Sequence, residues 1–401
     1  MSRTAEKMRA WKGPALLAYG FRPFFLGAAL WAAIAMTLWV AALSGQMVLP
    51  TAFDPVSWHA HAFLFGYLMS VIAGFLLTAV PNWTGRLPIV GWPLGGLFCL
   101  WIAGRLAVTF SAGLSPVVIG LVDLAMPATL ALVIAREIVA GKNWRNLIVL
   151  AMLMIFILGN AVFHWEAARG DYAAQGYGLR IGLAAAIMMI AVIGGRVVPS
   201  FTRNWLVKRG AGRLPTPPMQ RFDKLALLTL LLGLALWVAL PSAWLAGAVF
   251  ALAAGLHFFR LRRWVGLSTL SEPLVFILHA AYFFIPLGGL ALAAEIVLPE
   301  LSTLGAVQHL WMGGAIGLMT LAVMTRATLG HTGQVLTAGP GTCMIYAAIA
   351  LATLLRVSAG VWPGGTMTLY AASAVFWIAG FVGFAVIYGP LLLRHPPAKA
   401  V

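Results

Sequence analysis

The chain has 401 residues, 62% of them hydrophobic and 9% charged, with a formal net charge of +16. Water-soluble domains carry about 25% charged residues, so this chain could not cover a water-facing surface. A soluble enzyme is excluded, lipid is the natural solvent, and the positive charge has to be explained by its distribution.

The basic, polar stretch 1–23 (Arg3, Lys7, Arg9, Lys12, Arg22) reads as a cytoplasmic N-terminus. The apolar run Phe24–Leu43 behind it is long enough to span rather than be cleaved as a signal. Further runs of about spanning length follow at Trp58–Val80, Gly91–Phe110, Ser115–Ala135, Leu147–His164 and Gly178–Val198. Six more lie at Leu225–Leu240, Ser242–Phe259, Pro273–Ala294, Leu304–Thr325, Thr342–Val361 and Thr368–Leu393. Turn signals such as Pro81-Asn82, Gly141-Lys142-Asn143 and Pro215-Thr216-Pro217-Pro218 separate them. The expectation is an all-α, polytopic membrane protein with twelve transmembrane helices in a single domain, residues 1–401.

Charge tests this layout. With the N-terminus in the cytoplasm, 22 of the 26 Lys and Arg fall on cytoplasmic segments, all but Arg105, Arg169, Arg180 and Arg356. The basic loop 199–223 and the tail 394–401 are both cytoplasmic in this topology. The asymmetry is the positive-inside rule of an inner, plasma-type membrane, and it accounts for the net charge without nucleic acid as a partner.

The second, sixth and tenth helices end in similar strings, which suggests three four-helix repeats in a pseudo-threefold arrangement. Aligned without gaps, Thr84, Thr202 and Thr332 coincide, Arg196 falls on Arg326, and His61 falls on His309.

An ionisable residue in a spanning helix marks a functional site by default, and histidine is the commonest metal ligand. The topology sorts the histidines into two layers. His59, His61, His164 and His309 lie near the outer face; His257, His279 and His331 lie near the cytoplasmic face, and His395 is a solvated tail residue. Asp54-Pro55 reads as an N-cap followed by proline at the first helical position, so His59 and His61 should both be helical. Two residues apart, they point about 200° from one another. They therefore suit two different centres, with His61 pairing with His309 and His59 with His164. In the inner layer, His331 and His279 are stronger candidates than His257. Glu272 and His279 are seven apart and share a helix face.

Arg105 and Asp123 match in depth on consecutive antiparallel helices. A structural ion pair is the first reading, and an anion such as a haem propionate held by Arg105 is the alternative. Cys99 and Cys343 read as buried thiols, and Trp58, Trp83 and Trp165 as an aromatic belt.

At Gly20-Phe21-Arg22-Pro23-Phe24-Phe25, Trp58-His59-Ala60-His61 and Gly74–Gly85 the chain resembles the NnrS family of bacterial membrane proteins. The strings Gly195–Asn204 and Met324–Gly333 extend the resemblance along nearly the whole length. It implies a twelve-helix protein containing haem and copper, acting in the response to nitric oxide and nitrosative stress. The histidine layers suggest haem between helices two and ten on His61 and His309, with Arg105 beside it. Copper would take remaining imidazoles such as His59 and His164. The partners expected are membrane lipid and nitric oxide or its metal adducts; nothing in the sequence marks a redox partner. The resemblance leaves open whether the protein turns over as a haem–copper oxidoreductase. The rival reading is a secondary transporter or channel relaying protons through the membrane histidines. A factor that inserts metal, holding it transiently, is a third.

Overall fold

A computed structural model describes residues 11–86, 88–210, 212–298, 300 and 305–395. Arg3, Lys7, Arg9, Leu304 and the tail after His395, all used in the sequence reading, lie outside the described residues. Twelve helices are long and apolar enough to cross a membrane, and no strand occurs among the described residues. They are α1 (Phe21–Leu43), α2 (Pro55–Thr84), α3 (Trp92–Thr109), α4 (Pro116–Ala140), α5 (Trp144–Ala168) and α6 (Tyr177–Val207). The rest are α7 (Arg221–Ala239), α8 (Trp244–Arg262), α9 (Pro273–Val297), α10 (Leu310–His331), α11 (Pro340–Val361) and α12 (Thr366–Leu393). Large apolar side chains such as Leu121, Leu132, Leu158, Leu228 and Val386 stand exposed in the middle of these helices, as side chains facing hydrocarbon do. The protein is a multi-pass membrane protein.

Local chemistry sets the helix ends. The Asp54 carboxylate accepts from the amides of Val56 at 3.1 Å and Ser57 at 2.9 Å, with Pro55 at the first helical position. Gln220 and Asp223 form a reciprocal capping box at the start of α7. Two expectations are corrected. Pro81 and Pro199 do not end α2 and α6, which continue to Thr84 and Val207. In α6 the reason is the spacing of Val198, Thr202 and Leu206, which keeps one buried face going for two more turns. The start of the loop assigned to 199–223, as far as Val207, is therefore helix. The tenth helix begins later than expected, so His309 stands in its opening turn, directly before the π segment, and His331 is its last residue.

Helices α2, α6 and α10 each contain a wide π segment, at Ala62–Tyr67, Ile190–Gly194 and Leu310–Gly317. Such turns shift the backbone ladder by one residue and free carbonyls for other donors. Trp31 Nε1 donates to the Ala62 carbonyl at 2.9 Å and Trp101 Nε1 to that of Gly66 at 3.0 Å. In α6, Arg260 Nη1 donates to the Ala191 carbonyl at 3.1 Å.

Backbone contacts divide the chain into two compact units. The first takes the described parts of Met1–Gly182, Met324–Val335 and Phe381–Val401, and the second Leu183–Val323 with Leu336–Gly380. In the first, Phe21, Phe24 and Phe25 are fully buried. Between them Arg22 is buried too, and its Nη1 donates to the carbonyls of Leu391 at 3.3 Å, Leu392 at 2.8 Å and Arg394 at 2.8 Å. One guanidinium thus takes up acceptors that the last turn of α12 leaves unsatisfied. Tyr19 is pinned beside it, its hydroxyl donating to the Thr78 carbonyl at 3.2 Å. Burial pushes its phenol up to about 12, a shift partly offset by Asn82. Arg22→Ala should release the end of α12: we expect a loss of about 2–4 kcal/mol and faster protease cleavage after residue 380, with Arg22→Lys intermediate. Wild-type thermal stability of the alanine variant in detergent would contradict this role.

Candidate metal centre

The site is built in the first unit from α2, α3, α4 and α5. The capping that starts α2 at Pro55 places His61 at the lip of the π segment, with its side chain fully buried. Its Nε2 stands 3.1 Å from Asp123 Oδ2 and 3.0 Å from Asn160 Oδ1. From α5, one turn beyond Asn160, His164 brings its Nε2 to 3.0 Å from the same Asp123 oxygen. Asn160 Nδ2 also donates to Asp123 Oδ2, at 2.8 Å. One donor atom each from His61, Asp123 and His164 lies within 4.8 Å of the other two, and all three residues are buried.

The other carboxylate oxygen is occupied. Arg105 Nη2 donates to Asp123 Oδ1, so the expected ion pair between α3 and α4 is present. Two small residues permit it. A Cβ at position 104 would come within 2.8 Å of Asp123 Oδ1, and a Cβ at position 66 would collide with Arg105 Nη1. Nε and Nη1 of Arg105 and Nδ1 of His61 are buried with no hydrogen-bond partner. Orphaned polar atoms at this density are unusual for a purely structural cluster. Arg105 therefore neutralises the carboxylate from behind and leaves Oδ2 facing the two imidazoles.

This donor set fits a metal ion. Two ligands each about 2.0–2.1 Å from an ion stand about 2.9–3.4 Å apart at ordinary bond angles, the range of the spacings around Oδ2. It does not fit a haem. Asp123 Oδ2 sits within hydrogen-bond reach of both Nε2 atoms, where an iron and its flat macrocycle would have to lie.

A profile of the NnrS family matches residues 15–395. The chain belongs to the NnrS family. A comparison with curated protein sequences gave no match.

In this NnrS-family protein the structure brings together some of the expected residues and separates others. His61 and His164 share one centre, whereas the sequence had assigned them to two. His59 points elsewhere, as its 200° offset requires, and its ring stacks on Trp39 at 4.4 Å between centroids. His309 belongs to the second unit, with Nδ1 3.2 Å from the Gly305 carbonyl. His331 is exposed and packs edge-on against Tyr19 at 5.3 Å. His279 sits in the second unit with Nε2 2.7 Å from Thr202 Oγ1. Glu272 is not its partner: that carboxylate caps α9 through the Leu274 amide at 3.2 Å and also accepts from the Ala338 amide at 3.0 Å.

Sequence reasoning missed Asp123 and Asn160 as donors to this group. Asn160 had a signal, an amide four residues before His164 on an otherwise apolar helix, hence on the same face. It also missed a buried chain in the second unit. There Asp223 Oδ1 accepts from Arg260 Nε at 2.8 Å, and Arg260 Nη1 donates to the Tyr282 hydroxyl at 2.6 Å. His257 Nδ1 is 2.9 Å from that hydroxyl, and its Nε2 is 3.1 Å from the Ala226 carbonyl. A carbonyl only accepts, so Nε2 carries the proton and Nδ1 accepts from Tyr282.

Removing one member of a buried ion pair strands the other. Arg105→Met should therefore cost about 3–5 kcal/mol, and Arg105→Met combined with Asp123→Leu should recover much of it. Thermal unfolding of the two variants in detergent checks this; a double variant as unstable as the sum of the singles would contradict it.

Proposed function

We propose that this protein is a copper- and haem-binding protein of the bacterial inner membrane that acts in the response to nitric oxide, binding or processing nitric oxide or its metal adducts. The observation that carries the reading is the convergence of His61, His164 and Asp123 Oδ2 from three helices in a buried, apolar setting. Imidazole nitrogens suit copper, which supplies a redox-active centre able to bind a diatomic molecule when present. The chain's own residues do the rest. Asp123 orients both imidazoles, Arg105 holds the carboxylate by its far oxygen, and Asn160 fixes the near oxygen and faces His61. The placement of both termini in the cytoplasm is supported by the 22 of 26 basic residues on one side.

Haem, on this reading, is held apart from that group. His59 in the first unit or His309 in the second would hold it, which reassigns the haem role the sequence gave to His61. Arg105, engaged with Asp123, is withdrawn as a propionate partner.

A second reading, a secondary transporter that relays protons, draws on the chain from Asp223 to His257, where a hydroxyl and an imidazole share a proton inside the membrane. Metal analysis and optical spectra of the purified protein separate the two. We expect His61→Ala and His164→Ala each to lose most bound copper while keeping the Soret band, and His59→Ala to lose haem while keeping copper. Wild-type copper in both of the first variants would sink the metal assignment, and absence of any Soret band under haem-replete expression would sink the haem assignment.

A further inference from the structure

The candidate metal group has one aromatic residue, Phe53, against both of its imidazoles, and the position of that residue is enforced. Phe53 lies in the segment joining α1 to α2, between exposed Ala52 and the fully buried His61. Its ring is 5.8 Å from that of His61 and 5.7 Å from that of His164, so it spans both imidazoles. It stacks on Phe163 at 6.2 Å, and Phe163 and Phe65 flank His61 at 5.6 and 5.5 Å. The loop beneath it is not free to swing. The Ala52 amide donates to Ser111 Oγ at 2.7 Å, and Thr51 Oγ1 donates to the Val108 carbonyl at 2.9 Å, both at the end of α3. One residue on, Asp54 is committed to capping α2.

We propose that Phe53 is a specificity-determining cover over this centre, one that admits neutral diatomic ligands and excludes anions. The inference rests on the reading of His61, His164 and Asp123 as a metal group. The physical reason is desolvation. An anion entering between three phenyl rings leaves its hydration shell with no donor to replace it, whereas a neutral diatomic molecule loses almost nothing. Arg105, the cation beside this group among the described residues, is already paired with Asp123 and lies behind the carboxylate.

The test uses the full-length purified protein loaded with cupric ion and probed with azide, whose charge-transfer band reports the anion reaching copper. In wild type the band should grow slowly or not at all. In Phe53→Ala it should form at least about tenfold faster, the change that about 1.4 kcal/mol in barrier produces. Carbon monoxide added to the cuprous form is the neutral control and should bind both proteins at similar rates. Equal azide rates in two copper-loaded proteins would overturn the cover. If Phe53→Ala fails to hold the ion, Phe53→Leu decides: an azide rate above wild type supports the cover, and equality with wild type overturns it. Failure of the metal reading looks different. Copper content would then be indifferent to His61→Ala and His164→Ala, and no azide band would follow those donors.

Discussion

A carboxylate cannot rest in hydrocarbon alone, and the position of Asp123 organises the first unit around that constraint. Its two oxygens are divided between two tasks. Oδ1 belongs to Arg105, which neutralises the charge and ties α3 to α4, and Oδ2 gathers His61, Asn160 and His164 from α2 and α5. The small residues at 66 and 104 follow from the same need, since a side chain at either place would displace the guanidinium or the carboxylate. The electrostatic solution and the candidate site are therefore one object: the group that stabilises a buried acid also aims two imidazoles at a common point.

The second unit solves a similar problem with different parts. Arg260 neutralises Asp223, donates to the Ala191 carbonyl in the π segment of α6, and also holds Tyr282. In the first unit, indoles from Trp31 and Trp101 take up carbonyls in the π segment of α2. Wide turns at membrane depth leave backbone acceptors that lipid cannot satisfy, and in α2 and α6 these are met by long side chains from neighbouring helices.

The helices were legible in the sequence because apolar length and the asymmetry of basic residues are strong, local signals. Asp54-Pro55 marked the start of α2 for the same reason. What local patterning could not supply was the continuation past Pro81 and Pro199; past Pro199, tertiary burial of Thr202 and Leu206 outweighs the missing backbone donor. The π segments left no recognisable trace either. At the site, depth matching found the Arg105–Asp123 pair, and helical geometry established that His59 and His61 face different ways. Which of the two meets His164 depends on the rotation of α2 about its axis. Spacing alone does not determine that rotation; the packing of α2 against α4 and α5 does.

The most direct test of the central claim is a crystallographic anomalous difference map recorded at the copper absorption edge from copper-loaded protein. A peak is expected about 2.0–2.3 Å from His61 Nε2, His164 Nε2 and Asp123 Oδ2, with Arg105 still on Oδ1. Copper density elsewhere, with these three side chains bonded only to one another, would contradict it.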